Sequence, residues 1–261
     1  MYQYLTKLRK KLETGSKPYG ALLELDHPRI LDAVCGSGMH FVILDNEKGI
    51  FDDKSLQKRT KATLVDYRMP ALVRTQNSSL EAVAKVENLH TAGLIVPQVT
   101  ELDQVTAIIN EYKSFPLGLK YQDLVPHDPL TLQTLERWNE QFLLFLECDS
   151  PFLYDNLETI TAWEGVDGIY VRPHTLYTAT KAERTISMLD IPDMLDHIKA
   201  ICKERGKYCL FYETGDGSDI ASRLTWGHYD AVVCRSEFQL LRDSYLSISS
   251  TVNKILSGDD D

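Results

Sequence analysis

Residues capable of chemistry recur in this chain where short apolar runs stop. The stretch FVILDNEKG ends in Asp45, Glu47 and Lys48, PALVRTQ ends in Arg74, and LLFLECDSP ends in Glu147. GIYVRPHTLY carries Arg172, His174, Thr175 and Tyr177, and two later runs end in Glu213 and Arg235. An arginine at a strand end with no obvious local partner suits a carboxylate, because its planar fork donates parallel hydrogen bonds. A glutamate there suits a hard divalent cation, bound through oxygen. Each signal alone is weak, since charges gather wherever a strand leaves a core.

The elements that must position these residues follow from periodicity. The runs are ALLEL (21–25), FVILD (41–45), ALVR (71–74), GLIVP (93–97), FLLFLE (142–147), GIYVR (168–172), YCLFYE (208–213) and DAVVC (230–234). Between them, Val105, Ile108, Ile109 and Tyr112 share a helical face, as do Leu153, Leu157 and Ile160, and later Leu195, Ile198 and Cys202. Ser78 with Glu81 has the form of a capping box, and Ser150 before Pro151 fits a cap and first helical position. Strands buried on both faces read as continuous apolar runs, as parallel sheets require. Eight strand–helix units predict an α/β fold, a closed (β/α)8 TIM barrel, with an open doubly wound sheet as the runner-up.

Residues 115–141 read as an inserted loop and helix. MYQYLTKLRKKLETG reads as an additional N-terminal helix. A C-terminal helix over about 236–256 places Phe238, Leu241, Tyr245, Ile248 and Val252 on one face, which needs a partner surface, either a neighbouring subunit or its own barrel. A single domain over 1–256 is expected, with 257–261 as a flexible acidic tail.

With 38 acidic against 28 basic residues, the net charge is −10. That disfavours nucleic acid and anionic membranes as partners, but not a small anionic substrate, for which one local arginine can dominate a pocket. Five scattered cysteines without a CxxC pair point to a reducing cytoplasm. The chain shows neither a membrane-spanning run nor a signal peptide. CGSG (35–38) and ETGDGSD (213–219) lack phosphate-binding spacings, and His27, His40, His90, His127, His197 and His228 lack metal-ligand spacing.

Taken in order, four of these pieces resemble the HpcH/HpaI aldolase family, the metal-dependent pyruvate aldolases of the 4-hydroxy-2-oxoheptanedioate aldolase type. HFVILDNEKG resembles the family's apolar run into Asp-x-Glu-His-Gly, and PALVRTQ its strand ending in Val-Arg. GLIVPQVTELDQV resembles its Ile-Pro-x-Val stretch. LLFLECDSPFLYDNLETITAWEGVDGIYVRPHTLY resembles its Glu strand, Asn-Leu-Glu-x-Ile helix and Val-Asp-Gly-Ile strand. The resemblance implies that Arg74 grips a substrate carboxylate, that Glu147 is one of two acidic metal ligands, and that Asp45 and Glu47 precede the catalytic base. It implies a divalent cation (Mg, Mn or Co), a small 2-oxo acid such as pyruvate or an oxaloacetate-like acid, and an aldehyde partner. It further implies a homo-oligomer, a hexamer built as a trimer of dimers.

Several family positions differ here. The base histidine is Lys48, the second metal carboxylate falls on Thr175, and the glycine of the same Gly-Pro-x-Asp motif is Arg172. A substrate-binding glutamine is Phe145, and an Arg-Gly pair becomes Lys120 and Tyr121. Beside Asp45 and Glu47, Lys48 is expected to stay cationic, which opposes both a base and a Schiff-base role. It would instead stabilise an enolate, hold a carboxylate, or form a surface salt bridge. His174 is a candidate replacement ligand, favouring a softer metal. Alternatively Arg172 fills the vacated position with fixed charge, pairing with Glu147 in a metal-free pocket. Substrate contacts are expected from Arg74, Arg172 and His174.

The expected function is a carbon–carbon lyase that cleaves or decarboxylates a 2-oxo acid through a metal-stabilised pyruvate enolate. Decarboxylation should survive loss of the base better than aldol cleavage. The alternative is a catalytically impaired barrel acting as a binding or assembly protein. A third reading has Arg172, Lys48 and Arg74 hold a phosphorylated or dicarboxylic ligand.

Overall fold

The computed structural model describes residues 2–87, 89, 91–114 and 142–257. The insertion expected at 115–141, with Lys120, Tyr121 and His127, lies outside the described residues, as do His90 and residues 258–261.

Eight parallel strands close into one barrel in sequence order: β1 (Tyr19–Leu23), β2 (Phe41–Asp45), β3 (Ala71–Arg74), β4 (Gly93–Val96), β5 (Leu143–Cys148), β6 (Gly168–Val171), β7 (Tyr208–Glu213) and β8 (Ala231–Cys234). β8 pairs with β1, so the sheet has no edge and the open doubly wound alternative is excluded. The described helices are α1 (Tyr2–Leu5), α2 (Lys7–Glu13), α3 (Pro28–Cys35), α4 (Asp53–Val65), α5 (Leu80–Glu87), α6 (Leu102–Ser114), α7 (Pro151–Asp155), α8 (Leu157–Ala162), α9 (Pro173–Glu183), α10 (Ile191–Glu204), α11 (Gly217–Thr225) and α12 (Glu237–Ser257). Among the described residues, no helix is long and apolar enough to cross a membrane.

Three strands stop or start where a side chain or a proline intervenes. β1 ends before Glu24 and Leu25 because both amides donate to Glu237 Oε1, at 2.8 and 2.5 Å, rather than to a neighbouring strand. β4 ends before Pro97, which has no N–H to continue a ladder. β6 ends at Val171 because Arg172 is the N-cap of α9 and Pro173 its first residue.

Ser150 caps α7 as expected, accepting from the Leu153 amide. The cap of α5 is corrected: Ser79 accepts from the Ala82 amide, whereas Ser78 donates to the Gln98 carbonyl. Helix α5 begins at Leu80, one residue later than a Ser78 cap requires. The N-terminal segment forms two helices broken at Thr6, and Leu8 and Leu12 of the second are buried with Leu22, Phe41 and Ile43.

Alternation along the strands sorts the core. Phe41 and Ile43, Leu72, Leu143 and Phe145, Tyr170, Leu210 and Tyr212 belong to the cluster inside the barrel. Their neighbours Val42, Leu44, Val73, Leu144, Ile169 and Phe211 pack in the larger cluster with the helices. Large rings inside need glycines opposite. A Cβ on Gly168 would stand 2.2 Å from the Tyr208 carbonyl and 2.7 Å from the Phe145 ring.

Candidate active site

The same alternation carries the interior face one layer higher at the carboxyl ends of the strands. Asp45 follows Ile43, Arg74 follows Leu72, Glu147 follows Phe145, and Arg172 follows Tyr170, each by two residues. The layer above an apolar interior is therefore charged. Active sites of such barrels lie at this end.

Arg74 is its centre and is fully buried, at 0% exposure. Its Nε donates to Glu147 Oε2 at 2.5 Å. Its Nη1 donates to both oxygens of Asp45, at 3.1 and 3.2 Å, and to Glu47 Oε2. Three carboxylates thus converge on one guanidinium, which corrects the expectation that Arg74 lacks a local partner. The strand pattern alone does not reveal these partners, because Asp45 and Glu147 come from neighbouring and next-but-one strands of the barrel.

Arg172 enters beside this group. Its Nη1 is 3.7 Å from Glu47 Oε2 and 3.9 Å from Glu147 Oε1, and its guanidinium carbon sits 5.0 Å from the Tyr212 ring centroid. Stacking on the ring face adds a cation–π attraction. The pairing with Glu147 is the one considered from sequence for a metal-free pocket. Its side chain keeps 18% exposure, so it is the cationic group of the pair that solvent reaches.

Burial and charge oppose each other here. Burial outweighs the pull of Arg74 and Arg172 and leaves the Glu147 carboxyl raised to about 7. Burial would raise Glu47, but the Arg74 hydrogen bond and charge prevail and hold it below its usual range. Desolvation works against the Arg74 guanidinium, yet Glu147, Asp45 and Glu47 outweigh it and raise its pKa. Asp149 is raised, chiefly by burial.

Two residues missed from sequence belong to the site. Asp149 lies two positions after Glu147; its Oδ2 accepts from the Gln98 amide at 2.8 Å, and its Oδ1 is buried without a protein partner. The Tyr170 hydroxyl is also buried and unpartnered, as are Arg74 Nη2, Arg172 Nε and Glu147 Oε1. Two-residue alternation from Glu147 and Arg172 is the signal that could have found both.

Other expected residues stand apart. Lys48 is exposed and makes no hydrogen bond or ion pair among the described residues, so the expected salt bridge to Glu47 or Asp45 is absent. His174 is exposed and Thr175 half-buried; both line a cleft of about 500 Å³ that runs from Arg172 past Tyr212 to Arg223. Glu213 is held by Arg223 Nε at 2.6 Å, and Arg235 Nη1 pairs with Asp243 at 2.9 Å. Phe145, in place of a glutamine, is fully buried in the apolar layer under Glu147.

The donor set does not fit the divalent cation that the resemblance implies. One Glu147 oxygen is taken by Arg74, and the other faces a second guanidinium. Asp45 and Glu47 are both bound to Arg74, and Thr175 offers a neutral hydroxyl. Among the described residues, no group of three or more His, Cys, Asp and Glu side chains is arranged to hold a metal ion. The expected metal set of Glu147 and Thr175 is thus one buried, arginine-bound carboxylate and one hydroxyl.

No protein-family model matches the chain. It is similar to the 5-keto-4-deoxy-D-glucarate aldolase of Salmonella gallinarum, 23% identical over 252 residues that cover 95% of this chain and 97% of that one. It is likewise 23% identical over 185 residues to the hydroxypyruvate/pyruvate aldolase of Pseudomonas aeruginosa, covering 67% of this chain and 66% of that one. The solved structure of an HpcH/HpaI aldolase from Desulfitobacterium hafniense has the same fold, with a TM-score of 0.78 at 16% identity over 94% of this chain and 96% of that one. The chain is thus similar in sequence to two aldolases and shares its barrel with an HpcH/HpaI aldolase, the family its strand-end motifs resemble.

Proposed function

We propose that the barrel mouth is the site of a carbon–carbon lyase acting on a small 2-oxo acid, pyruvate- or oxaloacetate-like. The cluster of buried polar atoms without hydrogen-bond partners carries this reading: Arg74 Nη2, Arg172 Nε and the Tyr170 hydroxyl as donors, Glu147 Oε1 and Asp149 Oδ1 as acceptors. Buried polar groups are normally satisfied, so such a set calls for a small polar guest. A carboxylate next to a keto oxygen offers acceptors to the donors, and a guanidinium is the matching cation. The names of the two aldolase relatives agree with an acid of this class.

In decarboxylation of an oxaloacetate-like acid, the bond between C3 and the departing carboxylate breaks and carbon dioxide leaves. The electron pair becomes the pyruvate enolate, and protonation at C3 gives pyruvate. Fixed positive charge beside the enolate oxygen lowers the barrier. Aldol cleavage also needs an acceptor for a hydroxyl proton. Lys48, where the family has its histidine, is exposed and makes no hydrogen bond or ion pair with the charged cluster among the described residues. Decarboxylation is therefore the favoured reaction, and a barrel that binds a 2-oxo acid without turning it over is the alternative.

Two further properties belong to this reading. The face of α12 bearing Phe238, Leu241, Tyr245, Ile248 and Val252 is exposed, so the chain's own barrel does not cover it. That supports a homo-oligomer, such as the hexamer the resemblance implies. Five cysteines without a disulfide support a reducing compartment, the cytoplasm.

Pyruvate binding by calorimetry tests the site, with oxaloacetate decarboxylation and cleavage of a 4-hydroxy-2-oxo acid measured side by side. Binding should be seen, and decarboxylation should exceed cleavage. Absence of pyruvate binding overturns the site; binding without turnover selects the alternative; cleavage outrunning decarboxylation overturns the ordering.

A further inference from the structure

We propose that Arg172 takes the place of a divalent metal: its guanidinium is the fixed positive charge that excludes a cation from Glu147 and stabilises the enolate. The enolate half of this rests on the reading of the mouth as a 2-oxo-acid site.

The backbone sets the side chain in place. Arg172 shares the interior face with Tyr170, two residues before it, and it is the extended N-cap of α9, with φ −116° and ψ 100°. Pro173, at the first helical position, has a ring-locked φ that fixes the exit of the chain. The guanidinium is then held from two sides, by Glu47 and Glu147 within 4 Å and by the face of Tyr212.

Charge counting gives the same assignment. Asp45, Glu47 and Glu147 place three carboxylates on Arg74. Without Arg172 that group would carry two uncompensated negative charges, the amount one divalent cation neutralises. Arg172 supplies one positive charge that stays on the side chain at any working pH. A hard cation must approach carboxylate oxygens to about 2.0–2.6 Å. At Glu147 Oε1 it would stand against a guanidinium nitrogen 3.9 Å from that oxygen. Repulsion between the two cations disfavours the metal, and Arg172 already offsets one of the two negative charges.

The guanidinium can do the electrostatic part of a metal's work. It donates hydrogen bonds to the oxygen that gains charge as the C–C bond breaks, and no proton or electron leaves it. Its Nε is buried without a protein partner, so donor capacity remains for that oxygen.

Manganese binding reads the exclusion without reference to activity. The EDTA-treated full chain is titrated with Mn²⁺, followed by the spectroscopic signal of free manganese and by melting temperature. Three variants accompany it: Thr175→Asp, Arg172→Gly with Thr175→Asp, and Arg172→Gln. Wild type and Thr175→Asp should neither bind nor shift; the double variant should bind and melt higher. Binding by wild type or by Thr175→Asp alone, or no binding by a folded double variant, overturns the exclusion.

Metal-free oxaloacetate decarboxylation reads the second half. Arg172→Gln should lose roughly 10²–10³-fold, the cost of removing one donor from a charge-stabilising site. Arg172→Lys keeps the charge and should recover part of it. Arg172→Gln retaining wild-type rate, or EDTA abolishing wild-type turnover, overturns the role. If the wild type binds no pyruvate and turns over nothing, the 2-oxo-acid reading falls and takes the enolate role with it, and the manganese titration still decides the exclusion.

Discussion

At the amino-terminal end of the barrel one carboxylate holds two cations; at the carboxyl end one guanidinium holds three carboxylates. Below, Asp167 Oδ1 accepts from Arg9 Nη2 at 2.5 Å, and Oδ2 accepts from Lys113 Nζ at 2.7 Å and from the Leu144 amide at 2.8 Å. Both carboxylate oxygens are used. These contacts tie α2, α6 and the start of β5 to the residue before β6. Above, the Arg74 cluster keeps five buried polar atoms without hydrogen bonds, counting those of Asp149, Tyr170 and Arg172. Arg9 Nε below is also buried without a hydrogen bond, but the carboxylate at that end is fully used and locks elements together, whereas the upper cluster keeps open capacity on both its cations and its acids. The difference separates a structural end from a binding end.

Removing the hub of the upper cluster should produce the largest effect. Arg74→Ala strands three carboxylates in a buried layer and should cost about 3–5 kcal/mol in urea unfolding. A loss below about 1 kcal/mol would show that the mouth is not held by charge. Next, Asp167→Ala strands two cations that can partly reach water, so about 2–3 kcal/mol is expected, with pyruvate affinity unchanged. Reduced pyruvate affinity there would blur the division between the two ends.

Arg172→Ala should invert that pattern. Its stability change should stay within about 1 kcal/mol, because the side chain is partly solvated and its ion pairs are long. Pyruvate affinity should fall roughly 10–100-fold by calorimetry, as expected for one charged hydrogen bond. The smallest effect belongs to Lys48→Ala. Exposed and without a hydrogen bond or ion pair among the described residues, it should change stability by less than about 0.5 kcal/mol and leave pyruvate affinity as it was. A large loss of affinity would bring Lys48 back into the site.

The barrel was legible because each buried strand writes its own apolar run, and FVILD, ALVR and YCLFYE match β2, β3 and β7 at both ends. Strand ends set by distant groups were not legible. No local signal tells that Glu24 and Leu25 give their amides to Glu237, 213 and 212 positions away. The same holds in the site. Arg74, Glu147, Asp45 and Arg172 could be named from their places at run ends, but the partner of each lies on another strand. Reading Arg74 alone made it an open carboxylate receptor, whereas in three dimensions it is the hub of three carboxylates with one nitrogen, Nη2, left without a partner. Tyr170 was hidden for another reason: an aromatic inside an apolar run looks like core, and only its unpartnered hydroxyl says otherwise.

The contact from Glu237 to the end of β1 also bears on the order in which the molecule can be completed during synthesis. β1 is made first among the strands, yet its far edge pairs with β8, and the two amides that follow it wait for a side chain on the first turn of α12. Chain elongation at roughly 5–20 residues per second leaves that edge unpaired until β8 has left the ribosome. A nascent chain stalled before residue 231 should therefore expose a β1 edge able to pair with another strand. Arrival of β8, rather than of any earlier strand, closes the ring.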